Sequence, residues 1–306
     1  MNNQVKGYLL AALSATTYGM NPLFAIPLYN DGMDANSVLL FRYLLAIPVL
    51  FIMGKMRGRR FSLRRDQWLP VIALGLLVAL SSLALFQSYN FMNSGVASTL
   101  LFIYPVMVAV IMAAVFRERV PAFTWLCIAI AAFGIALLCK SSGGNHIGLT
   151  GIGLVMLSAL SYAIYMVSVS RKKLCDIATL TLTFYVLTFG VLLFLIPAMA
   201  GDGIKTPEHT VYWANLVGLA IFPTAVSFLC TTAAIQYIGS TPTAILGALE
   251  PVTAILFSVT LLNQPVSPRD TVGMALIIVA VTLVIAGGKI ATPLNRIKRL
   301  FPRLRR

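Results

Sequence analysis

The sequence predicts an all-α, polytopic membrane protein with ten transmembrane helices arranged as two inverted five-helix repeats. Three observations carry this. Of 306 residues, 59% are hydrophobic and 10% charged, with a mean hydropathy of +0.89, far from the balance of a soluble domain. Apolar runs of about 20 residues, the length that crosses a ~30 Å hydrocarbon core, recur along the chain. A sequence pattern also returns at a nearly constant offset.

The ten runs lie near 5–28, 36–54, 69–92, 96–116, 121–140, 147–170, 177–200, 211–236, 243–262 and 270–288, joined by short connections. They are long and continuously apolar, so they read as helices, not as the ~10-residue alternating segments of a β-barrel. The first run follows Lys6 and carries the small residues Ala12, Ser14 and Ala15, as a secretory signal would. Its apolar stretch continues to Leu28, too long for a signal core, and a matching segment recurs internally at 151–170. The first run is therefore expected to stay as a span.

The repeat is read from "ALSATTYGM" (12–20) against "MLSALSYAIYM" (156–166), which sets Ser14 over Ser158 and Tyr18 over Tyr162 at an offset of 144. The register continues with Phe41 over Phe184, Trp68 over Trp213 and Pro105 over Pro251, at offsets of 143, 145 and 146. The predicted units are 1–145 and 146–288, followed by a basic tail over 289–306. Because five is odd, the second unit enters the membrane in the opposite sense, an architecture that places a substrate site near the midplane between the halves.

A net charge of +14 would suggest a nucleic-acid partner in a soluble protein, but such binding needs an exposed folded module, and none is encoded. The basic residues follow the membrane instead. With a cytoplasmic N-terminus, Lys6, the six residues between Lys55 and Arg65, Arg117 and Arg119, Arg171 to Lys173 and seven tail residues all fall inside, while Lys140, Lys205 and Arg269 fall outside. The positive-inside rule then puts both termini in the cytoplasm of a cell (inner or plasma) membrane. The tail "RIKRLFPRLRR" is expected to rest on anionic lipid.

Within the spans, Glu250 is the eighth residue of its run, roughly 11 Å into the hydrocarbon, where a carboxylate needs a protein interior or a wet cavity. Proline at 22, 48, 105, 223 and 251 falls inside apparent spans and frees backbone carbonyls there. The matching positions of Pro105 and Pro251 mark a shared hinge. Ser158, Tyr162 and Tyr165 form an i, i+4, i+7 stripe, and Tyr18 with Asn21 forms the related patch in the first run. Tyr104, beside Pro105, offers a π-face and a hydroxyl. The candidate substrate-binding set is thus Glu250, Tyr104, Tyr162, Tyr18, Asn21, Ser158 and Tyr165, with Glu250 also the candidate for ion coupling. Ser and Tyr in such spans equally serve as helix glue. Arg42, toward the external end of the second run, is expected to be structural, anchoring that helix through interhelical or headgroup hydrogen bonds.

Other chemistries lack their residues. The four cysteines have no CxxC spacing, the two histidines fall in predicted external loops, and nine acidic residues supply no paired intramembrane carboxylates. "GLTGIG" (148–153) has no Lys-Ser/Thr after it and is no phosphate loop. No catalytic residue, metal or cofactor is expected, and the chain does not read as an enzyme.

The stretches "LLFRYLLAIPVLF", "YPVMVAVIMAAVFRERV" and "LEPVTAILFSVTLLNQPV" resemble the EamA-type members of the drug/metabolite transporter superfamily, and the resemblance spans nearly the whole chain. It implies an inverted-repeat fold with a central cavity lined by the first, third, fourth, sixth, eighth and ninth helices, and export of small metabolites, often amino acids. Two positions depart from it: Gln264 stands where an acidic residue is usual, and Tyr104 stands where the other half has Glu250. With only Arg42 as a cation within the spans, neutral or zwitterionic substrates fit better than phosphorylated ones. A secondary transporter is the leading expectation; a channel or facilitator, and an integral membrane enzyme or lipid scramblase, are the alternatives.

Overall fold

A computed structural model describes residues 2–56, 58, 61–91, 94–116, 122–141, 149–170, 174, 176–197 and 203–262, with scattered positions between 268 and 283. Every regular element among the described residues is helical. The first run forms α1 (Asn3–Tyr18) and α2 (Asn21–Asn30), followed by α3 (Ala35–Met56) and α4 (Trp68–Ser88). The fourth run splits into α5 (Ser94–Leu101) and α6 (Tyr104–Phe116), and α7 (Ala122–Ser141) completes the first half. Then come α8 (Leu149–Val169), α9 (Thr179–Pro197), α10 (Trp213–Leu219), a π-helical segment (Ala220–Val226) and α11 (Ser227–Ile238). The ninth run splits into α12 (Ser240–Leu246) and α13 (Leu249–Leu262). Six helical stretches among the described residues are long and apolar enough to cross a membrane: Asn3–Asn30, Ala35–Met56, Arg65–Ser88, Thr150–Val169, Thr179–Ile196 and Thr210–Ile238. The tenth run is described only in part, and the tail 289–306, Arg117, Arg119 and Arg171 to Lys173 lie outside the described residues.

Two long pairings organise the bundle: α4 runs along α8, and α1 runs along α11. Each is clasped by a pair of serines. Ser14 donates to the Ser227 carbonyl (2.9 Å) while Ser227 donates back to the Ser14 carbonyl (3.1 Å). Ser158 donates to the Ser81 carbonyl (2.7 Å) and Ser81 to the Ser158 carbonyl (3.0 Å), with hydroxyls 3.0 Å apart. Such intramembrane bonds average about 0.6 kcal/mol each, so a reciprocal pair fixes register more than it adds stability. Close approach elsewhere depends on glycine: a Cβ on Gly75 of α4 would sit 2.7 Å from the Val186 carbonyl oxygen of α9.

The π segment explains how one proline is tolerated. Pro223 cannot donate to the Leu219 carbonyl, and the Thr224 hydroxyl donates to that carbonyl instead, at 2.7 Å. Arg42 of α3 docks on the same turn, its Nε donating to the Thr224 hydroxyl and its Nη2 to the Pro223 carbonyl (3.1 Å). The residue is fully buried. These two hydrogen bonds tie α3 to the π segment.

Outside the spans, the 203–212 segment is tied to the α2–α3 turn. Asp31 Oδ2 accepts the Glu208 and His209 amides (2.8 and 3.3 Å), its Oδ1 meets His209 Nδ1 at 2.6 Å, and Ser37 Oγ accepts the Lys205 amide at 2.9 Å. Burial pushes the Asp31 carboxyl up, but the hydrogen bonds from the His209 ring and the two amides outweigh it and hold Asp31 below the usual carboxylate range. The hydrogen bond to Asp31, together with its charge, raises His209 above an ordinary histidine.

Candidate functional site

The breaks in three of the apolar runs converge. The first run breaks at Gly19–Met20, the fourth at Phe102–Ile103 and the ninth at Gly247–Ala248. Pro22, Pro105 and Pro251 each fall in the first turn of the helix that restarts after the break, where a missing N–H costs no hydrogen bond. The expected kinks within continuous helices are therefore full interruptions, and Pro105 and Pro251 initiate α6 and α13. Pro48 lies inside the unbroken helix α3, and Pro223 inside the continuous Thr210–Ile238 stretch at its π segment.

Between the breaks lies a small cavity, lined by Ala11, Ser14, Ala15 and Tyr18 of α1, Tyr104 of α6, Tyr162 and Met166 of α8, Thr231 of α11, Thr243 and Gly247, and Glu250 of α13. Its free space is about 10 Å³, room for about one water molecule. The α1 residues recur at i, i+3, i+4 and i+7, one helical face, and Thr243, Gly247 and Glu250 follow an i, i+4, i+7 stripe across the ninth-run break.

A group of tyrosines crowds the cavity. Tyr18 and Tyr162 lie parallel with centroids 6.5 Å apart, Tyr104 meets Tyr162 edge-on at 5.0 Å, and Tyr165 stacks behind Tyr162 at 5.9 Å. The Tyr104 hydroxyl closes on Gly247, where an added Cβ would run into it. Gly19 admits the neighbouring backbone in the same way: a Cβ there would lie 2.6 Å from the Glu250 carbonyl oxygen.

Glu250 is 6% exposed. It is the second residue of α13, so its carboxylate lies at the positive end of a helix, an arrangement that favours an anion. Its own amide donates to the Gly247 carbonyl at 2.9 Å, and the Thr253 hydroxyl caps the Leu249 and Glu250 carbonyls at 2.9 and 2.8 Å. Among the described residues no carboxylate lies within salt-bridge distance of Arg42 and no cation within that distance of Glu250. No cluster of three or more potential metal ligands occurs among them either.

Of the residues singled out from sequence, the structure brings Tyr18, Tyr104, Tyr162 and Glu250 onto this cavity. It does not bring the other three. Ser158 is fully buried in its clasp with Ser81, Tyr165 is fully buried with its hydroxyl 3.3 Å from Thr232 Oγ1, and Asn21 opens α2 beyond the lining. Both polar atoms of the Asn21 amide are buried without a hydrogen-bond partner among the described residues. Sequence reasoning missed Ala11, Ala15, Met166, Thr231, Thr243 and Gly247, of which Thr243 and Gly247 were reachable by extending the Glu250 stripe backwards. Ser14, noted only as a repeat match, lines the cavity in place of its counterpart Ser158. No residue of α4 lines it.

Comparison with known proteins agrees with this architecture. A protein of Archaeoglobus fulgidus designated an uncharacterized transporter is 26% identical over 292 residues, covering 92% of this chain and 99% of its own. The Salmonella typhimurium protein designated an uncharacterized inner membrane transporter, YicL, is 24% identical over 291 residues, covering 93% and 96%. A solved crystal structure superposes with a TM-score of 0.74 at 18% identity, covering 91% of this chain and 96% of that one, and so shares the fold. The sequence profile of the EamA-like transporter family matches twice in tandem, over residues 5–139 and 149–286. The chain belongs to the EamA-like transporter family, as a multi-pass membrane transporter of small molecules.

Proposed function

We propose that the chain is a secondary transporter that moves small neutral or zwitterionic metabolites, amino acids or related compounds, out of the cell by alternating access. The observation that carries this reading is Glu250, a buried carboxylate at a helix start, facing a small cavity bounded by interrupted helices. A cavity of this size holds no metabolite, which favours a closed member of a conformational cycle over an open pore. Glu250 takes the cationic group of the substrate and, when that is absent, a proton. The tyrosines supply the apolar and π-faces for the rest of the solute.

The reading includes ten spans in two inverted units, 1–145 and 146–288, with both termini cytoplasmic and the tail 289–306 on anionic lipid. The tandem family match supports it. So do the two serine clasps, because Ser158 follows Ser14 by 144 residues and Ser227 follows Ser81 by 146, so that one clasp repeats the other with the halves exchanged. The α5–α6 and α12–α13 breaks stand in the same relation, with Tyr104 and Glu250 at matching positions over one cavity.

Counterflow in proteoliposomes tests the function. Vesicles preloaded with one amino acid should accumulate labelled external amino acid transiently and saturably, and the effect should be competed by related zwitterions. Flux that never saturates and shows no trans-stimulation would mean a channel instead.

A further inference from the structure

Arg42 is anchored, yet only half used. Its guanidinium spends Nε on Thr224 and Nη2 on the Pro223 carbonyl, while Nη1 is buried without a hydrogen-bond partner among the described residues. A fully buried cation with no carboxylate in salt-bridge reach is an unfavourable arrangement, softened by two aromatic faces, Tyr18 at 5.7 Å and Phe86 at 5.5 Å from the guanidinium carbon. One of those faces belongs to the cavity: Tyr18 lines it together with Glu250. The Asn21 amide, also without a hydrogen-bond partner among the described residues, lies three residues beyond Tyr18 on the chain. A purely structural arginine would be expected to saturate its donors on protein groups, as Nε and Nη2 do.

We propose that the free Nη1 edge of Arg42 is the carboxylate-holding half of the substrate site, so that the transported solute is a zwitterion held by Arg42 at its carboxylate and by Glu250 at its ammonium. This rests on the transporter reading above and narrows it. The cavity must expand to admit any metabolite, and the Tyr18–Tyr162 stack is what fills it. Moving Tyr18 aside enlarges the cavity and uncovers the guanidinium in one step. A planar fork with donors already fixed on one side presents the remaining edge in a set orientation, which suits a carboxylate. The Pro223 turn that holds the fork belongs to the opposite half of the chain from Arg42, so the site spans both halves.

Ligand chemistry tests this on the unaltered protein. The purified full chain in nanodiscs is titrated by thermal shift with the twenty amino acids, each beside its amide and its decarboxylated amine. Each amino acid that binds should do so at least about tenfold more tightly than its amide or amine, the factor expected for losing one charge-assisted hydrogen-bonded contact. Arg42→Lys should narrow that gap while leaving amine binding unchanged; if this variant does not fold, the unaltered chain alone decides. Amides or amines that bind as tightly as their parent acids overturn the assignment and leave Arg42 as an anchor. Saturable flux of other solutes, with no amino acid bound, also overturns it while sparing the transporter reading. Absence of saturable flux for every solute overturns both.

Discussion

Single side chains in this protein repair costs that the membrane imposes. Thr224 covers the carbonyl freed by Pro223 and receives Arg42, so one hydroxyl serves two helices. Where Asp31 meets His209, their charges make folding depend on pH in a signed way. His209 is raised in the folded state, so its contribution is complete below its unfolded value near 6.5 and is lost as pH rises through the higher folded value. Asp31 is lowered, so its contribution is present above its unfolded value near 3.9 and is lost as pH falls through the folded one. The clasp is strongest between these limits. Melting curves of the parent and of His209→Ala should differ most at about pH 5–6 and converge as pH climbs past the folded histidine value. A gap that persists unchanged at pH 9 would assign His209 a packing role only. The convergence of Tyr18, Tyr104, Tyr162 and Glu250 on one cavity was legible because a carboxylate or a recurring tyrosine inside an apolar run is costly and periodic. Ser158 and Tyr165 shared that periodicity, but their partners Ser81 and Thr232 belong to other runs, and only tertiary packing reveals them.

At the scale of elements, the interruptions frame the cavity. Apolar length located the runs, and it could not show that the first, fourth and ninth are each two helices, since hydropathy is blind to a backbone break. Proline gave the position to within a few residues but not the form, because a first-turn proline and an interior kink look alike in sequence. Small residues such as Ala11, Ala15 and Gly247 carry no polar signal and could not be read as lining. Gly247 offers a test of the α12–α13 break. An alanine there meets the Tyr104 hydroxyl, whereas a Cβ at Gly153 of α8 meets nothing within 4 Å. Gly247→Ala should destabilise the folded chain by about 1–3 kcal/mol as an overpacked site, and lower counterflow. Gly153→Ala should stay within about 0.5 kcal/mol of the parent. Thermal melts and counterflow on both variants check this; equal behaviour would mean that Tyr104 yields freely and the break is not tightly packed.

For the whole molecule, the two proposed halves meet at the Glu250 carboxylate and at the Arg42 guanidinium, which the Pro223 turn holds. The cavity between them has free space of about 10 Å³, so under the proposed alternating access the aromatic stack would open toward one membrane face at a time. In the proposed function Glu250 is where that cycle would couple to an ion gradient, because a proton and a substrate ammonium would compete for one group. Glu250→Gln keeps the shape and most hydrogen bonding while removing the charge. Proteoliposome flux of this variant, measured with and without an imposed pH gradient, is the most direct test. The variant should insert normally, retain part of the exchange between substrates on opposite sides and show no response to the gradient; a variant that follows the gradient as the parent does would contradict the coupling role of Glu250.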